Sequence, residues 1–125
     1  MTAKLPTHFF IDRKKFLIKY WNNKEANKVK CDGEFDTEKA EITINKDLEP
    51  KEKLITVIHE FLHFLVWYNS LKLTARTEEK YVDLFSTQLI EILLNKQNKD
   101  LKELIIKIIA LLVFYRTALL LMVKN

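Results

Sequence analysis

The spacing of apolar and polar positions changes character along the chain. His8-Phe9-Phe10-Ile11 and Phe16-Leu17-Ile18-Lys19-Tyr20-Trp21 are rich in aromatic and β-branched residues, with Asp12-Arg13-Lys14-Lys15 between them. That pattern predicts two short strands joined by a charged turn. Residues 22–40 are polar, contain Gly33 and read as loop. Glu41-Ile42-Thr43-Ile44-Asn45 alternates polar with apolar, the period of a half-buried strand.

From Pro50 onward the period becomes helical. Asp47 or Glu49 can cap a helix that carries Pro50 in its first turn and runs from about Lys51 to Tyr68. Its apolar residues, among them Leu54, Val57, Phe61, Leu62, Leu65 and Val66, cover most of the circumference and predict a buried helix. After a loop from Asn69 to Arg76, Thr77 is the expected N-cap of a second helix reaching Leu94, with Val82, Phe85, Leu89 and Ile92 as its core stripe. Asn95 to Lys99 is a polar break, and a last helix covers roughly 100–124. The expected fold class is α+β: a small N-terminal β-sheet followed by three α-helices.

At 125 residues and 14.9 kDa, the chain reads as a single domain, 1–125, that includes the hydrophobic C-terminal helix. A hydrophobic content of 48% with 30% charged residues argues against a disordered chain. One glycine and two prolines favour long helices over a turn-rich sandwich. The net charge of +4 is modest, and its early lysines read as a solvated face, which argues against a nucleic-acid partner. Cys31 is the only cysteine, so neither an intrachain disulfide nor a cysteine metal cluster can form. No apolar run follows Met1–Pro6, so no signal peptide is visible and a cytoplasmic protein is expected.

One short segment names a chemistry. His59-Glu60-Phe61-Leu62-His63 is an HExxH sequence. Residues four apart on a helix share a face, so His59 and His63 can aim two imidazoles at one point, with Glu60 beside it. A catalytic zinc site needs a third protein ligand and an open position. The next helix begins with Glu78 and Glu79, and Asp83 lies four residues after Glu79. Glu79 can complete the metal shell, and Asp83 can accept the spare N–H of a ligand histidine. Glu78 is the rival ligand, but only Val82 stands four residues beyond it. His8 reads as an ordinary strand or surface histidine and Cys31 as a loop residue.

HExxH followed on the next helix by ExxxD resembles the gluzincin arrangement of thermolysin-type metallopeptidases. The closer resemblance is to small, often phage-encoded zincins of the ImmA/IrrE type, carried by Glu41-Ile42-Thr43-Ile44-Asn45 before the HExxH helix and Glu79-Lys80-Tyr81-Val82-Asp83-Leu84-Phe85 after it. It covers about residues 41–94. The resemblance implies Zn2+ held by His59, His63 and Glu79, Glu60 as general base on the metal-bound water, and Asp83 as partner of His59. It also implies a protein or peptide substrate, such as a repressor or host regulator. No residue matches an oxyanion donor; Tyr68, Tyr81 and His8 are candidates by type alone. If residues 41–45 form a sheet edge, an extended peptide could bind there by strand addition. The expected function is therefore zinc-dependent hydrolysis of peptide bonds. The alternative is a catalytically inactive zincin-like scaffold that binds a protein partner or membrane.

Leu104 to Val123 is apolar almost throughout, broken by Lys107 and Arg116, and is about as long as a bilayer span. Two readings stand for it. One is a helix packed against the other helices or buried in a dimer. The other is a membrane anchor, in which a deep Arg116 would cost about 2.5–3.5 kcal/mol.

Overall fold

The computed structural model describes residues 4–124, without the side chains of 118, 119, 123 and 124. The fold is α+β: a four-stranded mixed sheet followed by long helices. The chain divides into two compact units, Met1–Gln88 and Leu89–Asn125.

The first unit opens with β1 (His8–Ile11) and β2 (Lys14–Trp21), an antiparallel hairpin. Its turn residues Asp12 and Arg13 both have positive φ, 49° and 66°. That is the two-residue turn whose twist matches a hairpin. The segment expected to be loop instead holds α1 (Asn23–Val29) and β3 (Gly33–Asp36). Helix α1 is polar and short, so periodicity does not reveal it; a capping box does. The Asn22 side chain accepts from the Glu25 amide and the Glu25 side chain accepts from the Asn22 amide. Strand β4 (Glu41–Asn45) follows.

The strand order is β1-β2-β4-β3, with β2 and β4 parallel and β3 antiparallel to β4. Strand β4 is thus flanked on both sides, and the expectation that it could offer a free edge is corrected. The edges belong to β1 and β3.

Helix α2 (Pro50–Tyr68) starts after Glu49, with Pro50 in its first turn, and packs across β3 and β4. Phe64, 1% exposed, meets Ile42 and Ile44 at the centre of the core. Around Phe64 lie the rings of Phe9, Phe16, Phe35, Trp67 and Tyr68, with centroids 4.9–5.9 Å away. The helix is not buried all round: Leu54, Leu65 and Trp67 are exposed. Its extra apolar residues Leu62, Leu65 and Val66 instead line a surface groove with Leu71, Leu73 and Phe85.

Helix α3 (Ala75–Leu94) starts two residues before the expected N-cap, because the Thr74 hydroxyl, not Thr77, accepts from the amide of the first turn, at Thr77. Its buried positions are Val82, Ser86 and Ile90, whereas Phe85, Leu89 and Ile92 of the expected stripe are exposed. The buried face is thus rotated toward Glu79 and Asp83, which lie at its exposed margin. In the second unit, a 3-10 turn (Lys96–Asn98) capped by Asn95 leads into α4 (Lys99–Lys124). Among the described residues, one helix is long and apolar enough to cross a membrane, spanning Lys96–Met122.

Phe64→Ala should cost about 3–5 kcal/mol of unfolding free energy, as expected for a large ring removed from a packed centre. Denaturant unfolding followed by tryptophan fluorescence checks this, since Trp21 and Trp67 both lie in the first unit.

Candidate metal centre

Helix α2 is turned so that Glu60 and Phe64, one turn apart, face the sheet. His59 and His63 lie next to them around the helix, toward the start of α3. Glu79 reaches both imidazoles: its two oxygens lie 3.1 Å from His59 Nε2 and 3.0 Å from His63 Nε2. The two Nε2 atoms are 3.2 Å apart. The far nitrogens are also engaged. His59 Nδ1 lies 3.1 Å from Asp83 Oδ1, and His63 Nδ1 lies 2.5 Å from Glu78 Oε2.

This pairing decides the chemistry of the rings. A carboxylate can only accept, so with a metal ion bound at Nε2 each neutral imidazole would donate from Nδ1, His59 to Asp83 and His63 to Glu78. Two lone pairs and the Glu79 carboxylate then converge. Ligands 2.0–2.1 Å from a tetrahedral metal are about 3.3–3.4 Å from one another. The separations of 3.0–3.2 Å are close to that edge length. His59, His63 and Glu79 thus form a candidate metal-binding group, and the donor set fits a zinc-type ion. Glu78 takes a role that sequence spacing did not suggest: it sits behind His63 as Asp83 sits behind His59.

Glu60 is 5% exposed. Burial pushes its carboxyl up from the usual 4.5 to about 7, against the pull of His63, with smaller upward contributions from Glu79 and Glu34. It lines two cavities, as does Glu79. One, of about 290 Å³, is walled by Cys31, Asp32, Gly33, Thr56 and His59; the other, of about 280 Å³, by Phe35, Thr37, His63 and Glu78.

Gly33 is the residue that sequence reading passed over. A Cβ there would lie 2.6 Å from Thr56 Cγ2 and 2.9 Å from Glu60 Oε2. Its φ is not positive, so glycine is needed for room rather than for conformation. The approach of β3 to Glu60 is held by Asn45, which is buried. The Asn45 side-chain amide donates to Asn23 Oδ1 and Asp32 Oδ1, at 3.0 and 3.1 Å, and its backbone N–H donates to the Asp32 carbonyl at 2.7 Å. Cys31 is exposed beside the first cavity, and partial desolvation, with the nearby carboxylates of Glu34, Glu60 and Asp32, raises the pKa of its thiol.

The three side chains considered for oxyanion stabilisation lie elsewhere. The Tyr68 hydroxyl donates to Asp12 at 2.6 Å, Tyr81 lines the apolar groove, and His8 pairs with Thr7. No family model matches the chain, and neither does any curated protein or solved structure.

Two outcomes follow from this geometry. Between pH 4.5 and 7 the unfolded chain loses the Glu60 proton while the folded, metal-free protein keeps it. The stability Glu60 contributes is therefore intact at acid pH and lost above pH 7. Metal-free Glu60→Gln should melt higher than the parent at pH 8, with the gap closing at pH 5, as read by thermal scans at both values. Separately, Asp83→Asn and Glu78→Gln should each weaken zinc affinity by about 10–100-fold in a competition titration, because each frees an imidazole that is now oriented.

Proposed function

We propose that the protein is a metal-dependent hydrolase built on a His₂Glu centre. More particularly, we read it as a small zinc peptidase in which Glu60 is the general base. The observation that carries this reading is the convergence of His59 Nε2, His63 Nε2 and Glu79 next to a buried carboxylate that opens on the same cavities. The sequence resemblance to gluzincins and to ImmA/IrrE-type zincins points the same way.

His59, His63 and Glu79 would hold the ion, and Asp83 and Glu78 would keep both rings in the Nδ1–H form. A bound zinc ion would supply Lewis acidity toward a substrate carbonyl and lower the pKa of a coordinated water. Glu60 takes the proton of the attacking water and delivers it to the leaving amine as the C–N bond breaks. Its carboxylate, buried yet lining both cavities, is placed for such a shuttle. The sheet edge beside these cavities is β3, so an extended peptide would add there rather than along β4.

One observation favours a second reading, a zincin-like scaffold that binds a partner without turnover. Tyr68, Tyr81 and His8 all point their polar atoms or rings into other surroundings.

Elemental mass spectrometry should find about one zinc per chain, lost in the His59→Ala/His63→Ala double variant. Glu60→Gln should retain the zinc and abolish cleavage in a peptide-library digest read by mass spectrometry. A scaffold would give zinc binding with no cleavage by either form.

A further inference from the structure

We propose that α4 crosses a lipid bilayer and so tethers the metal-binding unit to a membrane. Exposure around the helix carries the argument. Leu111, Leu112, Val113 and Phe114 are consecutive and between 61% and 73% exposed. Four successive helical residues point in directions that take in most of the circumference. A helix on a water-facing protein surface keeps a polar side, and a groove or a second copy of the chain would cover only one stripe. Here the apolar surface continues all round.

The charges agree. Between Leu104 and Met122 the charged residues are Lys107 and Arg116. They are nine residues apart, about two and a half turns, and so lie on opposite sides of the helix. They cannot form one wet face. The length agrees as well: Leu104 to Met122 spans about 29 Å at 1.5 Å per residue, matching a hydrocarbon layer of about 30 Å. Lys99, Asp100, Lys102 and Glu103 precede this stretch and would lie among the headgroups, and Lys107 can extend toward them along its own stem. Arg116 is left as the one strongly opposed residue, and it provides the test.

The experiment uses the full chain, produced in cells and reconstituted into phosphatidylcholine–phosphatidylglycerol vesicles. The bound fraction is read by flotation after an alkaline carbonate wash. The parent protein should float and resist the wash. Arg116→Leu should lower the fraction released, and an Ile109→Arg/Leu112→Arg double variant should raise it roughly tenfold or more. The fluorescence melt of Trp21 and Trp67, both in the first unit, shows that each variant remains folded there. Carbonate release of the parent chain would overturn the proposal. So would a monodisperse dimer in detergent-free buffer, which would assign the helix to a second copy, or a bound fraction indifferent to both variants.

Discussion

The packing of Phe64 into the ring of aromatic side chains above Ile42 and Ile44 sets the rotation of α2 about its axis. The placement of His59, Glu60 and His63 in the candidate metal centre depends on that rotation. With Phe64 pointing at the sheet, Glu60 one turn earlier must point there too, and the two histidines must lie to one side. The hydrophobic term thus forces a carboxylate into a dry position that it would not otherwise occupy, and its raised pKa is the electrostatic mark of that compromise.

A buried carboxylate also needs space and fixed neighbours. Gly33 supplies the space, since any side chain there would collide with Thr56 and Glu60. Asn45 supplies the fixity. Its amide ties Asp32 to Asn23, and its oxygen accepts from the Asp47 amide, so the start of β3, the start of α1 and the approach to α2 share one polar hub. Satisfying every group of a buried amide makes such a hub rigid. The position of β3 over Glu60 is therefore decided at a residue that lines neither cavity and lies outside the candidate metal-binding group.

Much of this was legible in the sequence wherever periodicity was strong. The β1–β2 pair, β4 and the three long helices follow from apolar spacing, and the candidate cluster of His59, His63 and Glu79 follows from i, i+4 geometry. What escaped was short or polar. Helix α1 buries only Ala26 and shows itself through a cap rather than a stripe. Strand β3, Gly33-Glu34-Phe35-Asp36, carries a single large apolar side chain, so no alternation registers, whereas the equally short β1 carries three. The buried face of α3 was misread because Phe85, Leu89 and Ile92 are more apolar than Ser86, yet Ser86 is fully buried. The roles of Glu78 and Gly33 had no motif to mark them: Glu78 lies outside the ExxxD spacing that singled out Glu79 and Asp83, and Gly33 matters only for the room it leaves beside Thr56 and Glu60.

The one glycine in the chain is used for room, which leaves the left-handed turns to residues with side chains. Arg13, Lys30, Ala40 and Ser70 all adopt φ between 52° and 66°. Each holds conformational strain of about 1–2 kcal/mol that glycine would not carry. None of the four lines either cavity beside the candidate metal centre. The molecule therefore carries a store of unrealised thermal robustness, distributed over surface turns, that an engineer could release without altering the geometry around Glu60.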